Sequence, residues 1–427
     1  MKPSRIEMHA ENQEEVSELV AHLFRHKSGQ IVSILAGIFG FEHLDLAEDV
    51  VQETLIKALQ QWPFSGIPRN PAGWILQVAR HKALDVLRHR AVFRKKQTQM
   101  AQQLESQMQT SPPGQSPFED EQLTLMFACS DPAFPRDIQI ALVLKALCGF
   151  SVAEIARAFL TRESTISQRL VRAKRKIRAE RIRFALPHRD KLSGRLDAVL
   201  DVLYFMFNEG YSASQGEELI RKDVCDEAIR LTLLLAEHPV GDVPKTHALL
   251  ALMLFHASRF ATRLDQEGNL LLIADQDRTL WDQRLIQQAF SQLDQAGRGT
   301  ELTPYHLQAG IASCHALARN YESTDWNRIL SFYDGLLDLE RSPIIQLNRA
   351  VAVSMIEGPQ AGLFELARIK NKKALPGYYL YHATLADFHR RLGNKSEAIR
   401  HYQQTYKLAR THPERAFVER RLAELRS

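Results

Sequence analysis

Nine basic residues stand between Arg162 and Arg183: Arg162, Arg169, Arg172, Lys174, Arg175, Lys176, Arg178, Arg181 and Arg183. Only two acids, Glu163 and Glu180, interrupt them. A second cluster holds Arg80, Lys82, Arg88, Arg90, Arg94, Lys95 and Lys96. A guanidinium neutralises a phosphate and pairs bidentately with a guanine edge, and a glutamine amide such as Gln168 does the same for adenine. The net charge of +5 is not spread evenly. Residues 1–190 carry 26 Lys and Arg against 21 Asp and Glu, and the remaining residues carry 29 against 29. Basic stretches in a neutral background are what a phosphate backbone attracts.

Catalytic and metal chemistry find no comparable support. His22 and His26 are four apart, but Leu23 stands where a metalloprotease motif needs Glu. There is no GxxxxGK[ST], GxGxxG or GxSxG. The sixteen histidines show no ligand spacing along the chain, and Asp275 with Asp277 lacks the continuation of a calcium loop. No enzyme activity, cofactor or metal is expected. Cys129, Cys148, Cys225 and Cys314 form no CxxC pair, which fits a reducing cytoplasm. The opening MKPSRIEMHAENQEE is too acidic for a signal peptide, and no apolar run reaches a membrane span of about 18 residues.

The elements that position these groups read as helices almost throughout, so an all-α fold is expected. In GFSVAEIARAFLTRESTISQRLVRAKRKIR, from Gly149, Ser151 and Glu154 form a capping box. Ile155, Ala156 and Phe159 make the inner face of a short helix, and Leu160–Thr161–Arg162 a turn. The second helix buries Ile166, Leu170, Ala173 and Ile177 and turns Ser164, Gln168, Arg169, Arg172 and Arg175 outward. This is a helix-turn-helix whose second helix suits a major groove.

Two further helices precede it. In LAEDVVQETLIKALQQW, Val51, Leu55, Ala58, Leu59 and Trp62 share one face, and Asp49, Gln52, Glu53 and Ile56 another. That mixed acidic surface suits a protein partner. In RNPAGWILQVARHKALDVLRHR, Asn70 caps a helix that starts at Pro71. Leu76, Ala83 and Leu87 face inward, and Gln77, His81, Asp85 and Arg88 outward, flanked by Arg80 and Arg90. The polar stretch 97–117, rich in Gln and closing on Pro112, Pro113, Gly114 and Pro117, reads as a linker. Pro187 marks a second boundary. Downstream, segments starting at Leu347 and Tyr381 repeat a helix, a Gly turn (Gly358, Gly393) and a second helix 34 residues apart, the tetratricopeptide period.

In this order and spacing the first three motifs resemble extracytoplasmic-function (ECF) sigma factors of the sigma-70 family. AEDVVQET resembles the helix of the second conserved region that docks on the clamp helices of the polymerase largest subunit. GWILQVARHKALDVLRHR resembles the part that grips and melts the −10 element, and the helix-turn-helix resembles the fourth region, which reads the −35 element. The third region is replaced by the linker. LYFMFNEGYSAS (Leu203–Ser214), ADQDRTLWD (Ala274–Asp282) and SPIIQLNRAVAV (Ser342–Val353) resemble blocks of the ECF subgroup with a long tetratricopeptide-like extension, found beside genes for YCII-related DGPF proteins.

The resemblance implies a region 2 domain over 1–95, a linker over 96–120, a region 4 domain over 121–186 and a helical extension over 187–427, tetratricopeptide-like from about 300. Core RNA polymerase and promoter DNA are the implied partners, without a membrane or a dedicated anti-sigma factor, because the extension regulates in cis. Asp49, Gln52 and Glu53 would dock on polymerase. Arg80, Lys82, Arg88 and Arg90 would hold the −10 strand, where Trp74 is either a stacking platform or core. Arg162, Glu163, Ser164, Thr165, Gln168, Arg169 and Arg172 would contact the −35 duplex, so Arg169→Ala should weaken −35 recognition and spare polymerase binding. In the extension, Asn208, Glu209 and Tyr211 mark a helix end or kink. Asp275, Asp277, Arg278 and Asp282 make an ion-pair network or a contact surface, and Asn348 and Arg349 interrupt an apolar helix. The rival reading is a one-component helix-turn-helix regulator with a tetratricopeptide sensor, which has no use for the first two motifs.

Overall fold

The computed structural model describes residues 27–39, 43–93, 120–180, 191–213, 219–369 and 372–426, with isolated positions between 13 and 23. The linker expected over 96–120 lies, save its last residue, outside the described residues, as does Pro187. Among the described residues the fold is all α-helical, with one isolated antiparallel bridge between Leu264 and Leu270. None of these helices is long and apolar enough to cross a membrane. Among the described residues none of the four cysteines forms a disulfide.

The chain forms two compact units, 1–202 and 203–427. In the first, helices α1 (Ser28–Phe39), α2 (Leu44–Ser65) and α3 (Pro71–Phe93) pack on one another. Val51, Leu55, Ala58 and Trp62 are buried, as expected, but Leu59 is 41% exposed. At 3.6 residues per turn Leu59 lies about 80° from Val51, at the rim of the stripe. The inward stripe of α3 is Ile75, Ala79 and Ala83. Leu76 and Leu87, about 20° and 40° past Ala83 on the same wheel, lie at the rim of the stripe and are only half-buried. Asn70 does cap α3: its Oδ1 accepts from the Gly73 N–H at 2.9 Å.

Helices α4 (Glu121–Cys129), α5 (Arg136–Ala146), α6 (Val152–Ala158) and α7 (Glu163–Glu180) complete this unit around Leu123, Phe127, Leu144, Phe150 and Ile155. The capping box forms, with Glu154 N–H donating to Ser151 Oγ at 3.1 Å and Ser151 N–H to Glu154 Oε2 at 2.6 Å. Ser151→Ala should cost about 1 kcal/mol, as N-cap removals do, and a thermal melt followed by circular dichroism checks it. Leu160, at φ 49°, makes the left-handed turn into α7.

The division at 202 falls inside α8 (Ser193–Tyr211), later than the boundary expected at 187. The start of α8 is tied into the first unit. Arg195 donates to the carbonyls of Phe127 and Ala128 and pairs with Asp131 at 2.9 Å, and Arg136 pairs with Asp201 at 2.6 Å.

In the second unit the helices α9 (Lys222–Glu237), α10 (Pro244–Ala257), α11 (Gln283–Ala296), α12 (Pro304–Leu317), α13 (Trp326–Leu339), α14 (Pro343–Ile356), α15 (Pro359–Arg368), α16 (Tyr379–Arg391), α17 (Lys395–Leu408) and α18 (His412–Arg426) pack each mainly on its chain neighbours. The core is accordingly a series of local clusters: Leu250 with Phe255 and Trp281, Cys314 with Ile329, Leu347 with Leu366 and Phe388, and Tyr402 with Val418. Gly358 and Gly393, at φ 94° and 77°, make the turns of the α14–α15 and α16–α17 pairs.

Candidate nucleic-acid interface

Helix α7 has two faces. Ile166, Leu170, Ala173 and Ile177 are all buried, as the spacing predicts. Arg162, Glu163, Ser164, Gln168, Arg172 and Arg175 are exposed, and Thr165 is half-buried. Arg162, Arg172 and Arg175 have no ion-pair partner among the described residues. Other cations of the same run are engaged. Arg169 pairs with Asp137 of α5 at 2.8 Å. Lys174 pairs with Asp45 at 2.6 Å and Glu48 at 3.2 Å, both on α2. Lys176 donates to Ala133 O and lies over the Phe134 ring. The basic run therefore divides into an open face and a committed one, a distinction that residue type alone does not reveal.

Asp49, Gln52 and Glu53 are exposed on α2. Beside them Ile56 is 55% exposed and, after Pro63 in the last turn of the helix, Phe64 is 82% exposed. Apolar side chains among acidic and amide groups are the makings of a protein-binding surface. The DNA and polymerase assignments meet at one point, because Lys82 pairs with Glu53 at 2.9 Å. Arg80 is half-buried and Arg88 exposed; Arg90 lies on α3, its side chain outside the described residues. Trp74 is half-buried, with its ring edge-on to the buried Trp62 at 5.4 Å. That contact makes it part of the α2–α3 packing.

The extension residues fall into distinct settings. Asn208 is exposed, Glu209 buried, and α8 ends at Tyr211, as expected. Asp275, Asp277, Arg278 and Asp282 form no ion pair with one another among the described residues, so of the two alternatives, network or contact surface, the network does not form there. Asp277 and Asp282 cap helical turns instead: Asp277 accepts from Thr279 N–H and Oγ1, and Asp282 from the N–H groups of Arg284 and Leu285. The Thr279 hydroxyl and N–H hold the Asp277 carboxyl below its usual range. Arg278 donates to the carbonyls of His315 and Ala318 and stacks over Trp281. Asn348 is exposed. Arg349 joins Asp334 of α13 to Glu365 of α15, each at 2.6 Å.

Two groups escaped the sequence reading. Arg259 and Arg263 converge on Tyr211: Arg259 donates to its hydroxyl at 2.6 Å, and Arg263 donates to its carbonyl with the guanidinium over the ring at 3.7 Å. His256 packs on the same ring and is held neutral by burial first and then by Arg259. Burial and then Arg259 and Arg278 push His315 down to about 3. The i, i+4 spacing of Arg259 and Arg263 was the available signal. Secondly, His389, Glu397 and His401, without ligand spacing along the chain, come together between α16 and α17.

Residues 23–92 match sigma-70 region 2, and residues 135–177 match sigma-70 region 4. The chain carries sigma-70 regions 2 and 4. The exposed face of α7 lies within its region 4, and α2 and α3 within its region 2. Sigma-70 regions 2 and 4 imply binding to core RNA polymerase and to promoter DNA, and a part in promoter-directed transcription. Residues 195–297 match a family of unknown function, DUF6596. The chain is also similar to an uncharacterized protein of Rhizobium meliloti (strain 1021), 40% identical over 390 residues that cover 90% of this chain and 91% of that protein.

Proposed function

We propose that the chain is an ECF-class sigma factor whose extension, tetratricopeptide-like in its 34-residue spacing, regulates it in cis in place of a dedicated anti-sigma factor. The observation that carries the reading is the open face of α7, Arg162, Gln168, Arg172 and Arg175, in one chain with the acidic and apolar surface of α2. Asp49, Gln52 and Glu53 dock on polymerase; Arg80, Lys82, Arg88 and Arg90 hold the −10 strand. Arg162, Glu163, Ser164, Thr165, Gln168, Arg169 and Arg172 engage the −35 duplex. A one-component regulator has no role for region 2.

The first unit is closed, and promoter binding requires it to open. The −10 and −35 elements lie about 25 base pairs apart, roughly 85 Å at 34–36 Å per helical turn. A compact unit of about 200 residues has a radius of gyration of roughly 16 Å, and so a diameter of about 40 Å. Regions 2 and 4 must therefore separate, breaking the Lys174 pairs to Asp45 and Glu48. The linker over 96–120 has the reach, about 85 Å at 3.3–3.6 Å per residue.

Co-elution with purified bacterial core RNA polymerase tests the reading, with the full chain and with a chain ending at 211, which keeps the Arg195 and Arg136 contacts. The full chain is expected to co-elute. Stronger binding by the shortened chain makes the extension an inhibitor, and its failure to bind makes the extension a required part. Duplex binding without polymerase binding by either chain sinks the sigma-factor reading.

A further inference from the structure

We propose that His389, Glu397 and His401 form a binding site for one divalent transition-metal ion of the zinc class, joining helices α16 and α17 of the extension. His389 lies on α16, and Glu397 and His401 lie one turn apart on α17, so both project from one face. One ligand atom from each falls within 4.8 Å of the other two. Tetrahedral zinc, with N and O ligands at 2.0–2.2 Å, sets ligand atoms about 3.4 Å apart. The closing movement needed is the adjustment of three side chains on two helices already in contact.

The surrounding hydrogen bonds orient the set. His382 Nε2 faces Pro376 O at 3.1 Å, and since a carbonyl only accepts, the proton of His382 is on Nε2. Its Nδ1 is then an acceptor, 3.4 Å from His401 Nδ1, which places the His401 proton on that nitrogen. The lone pair of His401 is left on Nε2, 4.0 Å from Glu397 Oε2. A ligating imidazole whose other nitrogen donates to a fixed partner is the usual outer-shell arrangement of a metal site. His389 Nδ1 is closed off from solvent and has no hydrogen-bond partner among the described residues. The His389 and His401 rings are parallel, 5.8 Å apart.

Two imidazoles and one carboxylate suit zinc, cobalt, nickel or copper, whereas magnesium and calcium take all-oxygen sets. Three protein ligands leave a fourth tetrahedral position for water or another group. One exposed side chain opposes the site: Arg400 Nη2 holds Glu397 Oε2 at 2.5 Å and faces His401 Nε2 at 3.4 Å, so a metal ion must displace it from both.

The test is titration of the full, metal-stripped chain with zinc chloride in a calorimeter, and with cobalt chloride followed by visible absorption. One equivalent of zinc and the intense d–d bands of tetrahedral cobalt are expected. Glu397→Gln keeps size and hydrogen bonding and should weaken binding at least 10-fold. His389→Ala with His401→Ala should abolish it, and His382→Ala should cost about 10–100-fold, as outer-shell losses do. Arg400→Gln should tighten binding by freeing Glu397. His81→Ala, on α3, is the control. If the parent binds no equivalent, or if Glu397→Gln and the double histidine variant, with parental circular dichroism, bind as the parent does, the site does not exist. Polymerase binding plays no part in this readout, so its outcome is separate from that of the sigma-factor reading.

Discussion

Arg172→Ala is expected to lower affinity for a cognate −35 duplex by about 5–150-fold, the 1–3 kcal/mol that a base-reading arginine contributes. Polymerase co-elution should not change. Arg172 stands on the open face of α7 with no ion-pair partner among the described residues, one turn from Gln168 and beside Arg175. Among the described residues its guanidinium gives up no ion pair to reach DNA. Arg169 is placed differently, because Asp137 holds it at 2.8 Å and both side chains are 38% exposed. Such a surface pair is worth at most about 1 kcal/mol, and DNA competes with it for the same guanidinium. Arg169→Ala should therefore weaken −35 binding less than Arg172→Ala does. Fluorescence anisotropy at one fixed salt concentration, against cognate and scrambled duplexes, separates base reading from phosphate contact. A larger loss for Arg169 than for Arg172 would show that the reading face of α7 is rotated from the one assigned.

The contrast between these two arginines shows what a sequence carries and what it leaves out. Ile166, Leu170, Ala173 and Ile177 were legible because a buried stripe depends only on spacing and apolarity, both local. The Ser151–Glu154 box and the Asn70 cap were legible for the same reason. Leu59 and Leu76 were misplaced because hydrophobicity gives a stripe but not its edges; the neighbouring helix decides which rim residues it covers. The partners of Arg169, Lys174, Arg278 and Arg349 come from 15 to 129 positions away or from backbone carbonyls, and no periodicity encodes them. The histidine cluster was hidden likewise. His389 and His401 share no helix, and the turn at Gly393 is what returns the chain and brings them together.

Gly29→Val is expected to raise apparent affinity for core polymerase by about 10-fold, equivalent to about 1.4 kcal/mol taken from the closed form of the first unit. A Cβ at Gly29 would lie 2.1 Å from Leu147 O and 2.9 Å from the Leu147 carbonyl carbon. Both are backbone atoms at the end of α5, and that carbonyl already accepts from Gln122 Nε2 at 3.2 Å, so it has little room to retreat. Gly29 lies in region 2 and Leu147 in region 4. The clash therefore falls where the two regions meet. Lys174→Glu tests the same interface by charge, setting a third carboxylate against Asp45 and Glu48 without a steric wedge. If only the open form binds polymerase, the measured dissociation constant is the intrinsic one divided by the open fraction, and both variants enlarge that fraction. Titration of labelled polymerase reads the effect directly, and circular dichroism checks that each helical region survives. Because one variant acts through backbone contact and the other through charge, a shared gain has the loosened interface as its common cause. Unchanged affinity in both would mean that polymerase takes regions 2 and 4 while they are still packed together, and that their separation waits for the promoter.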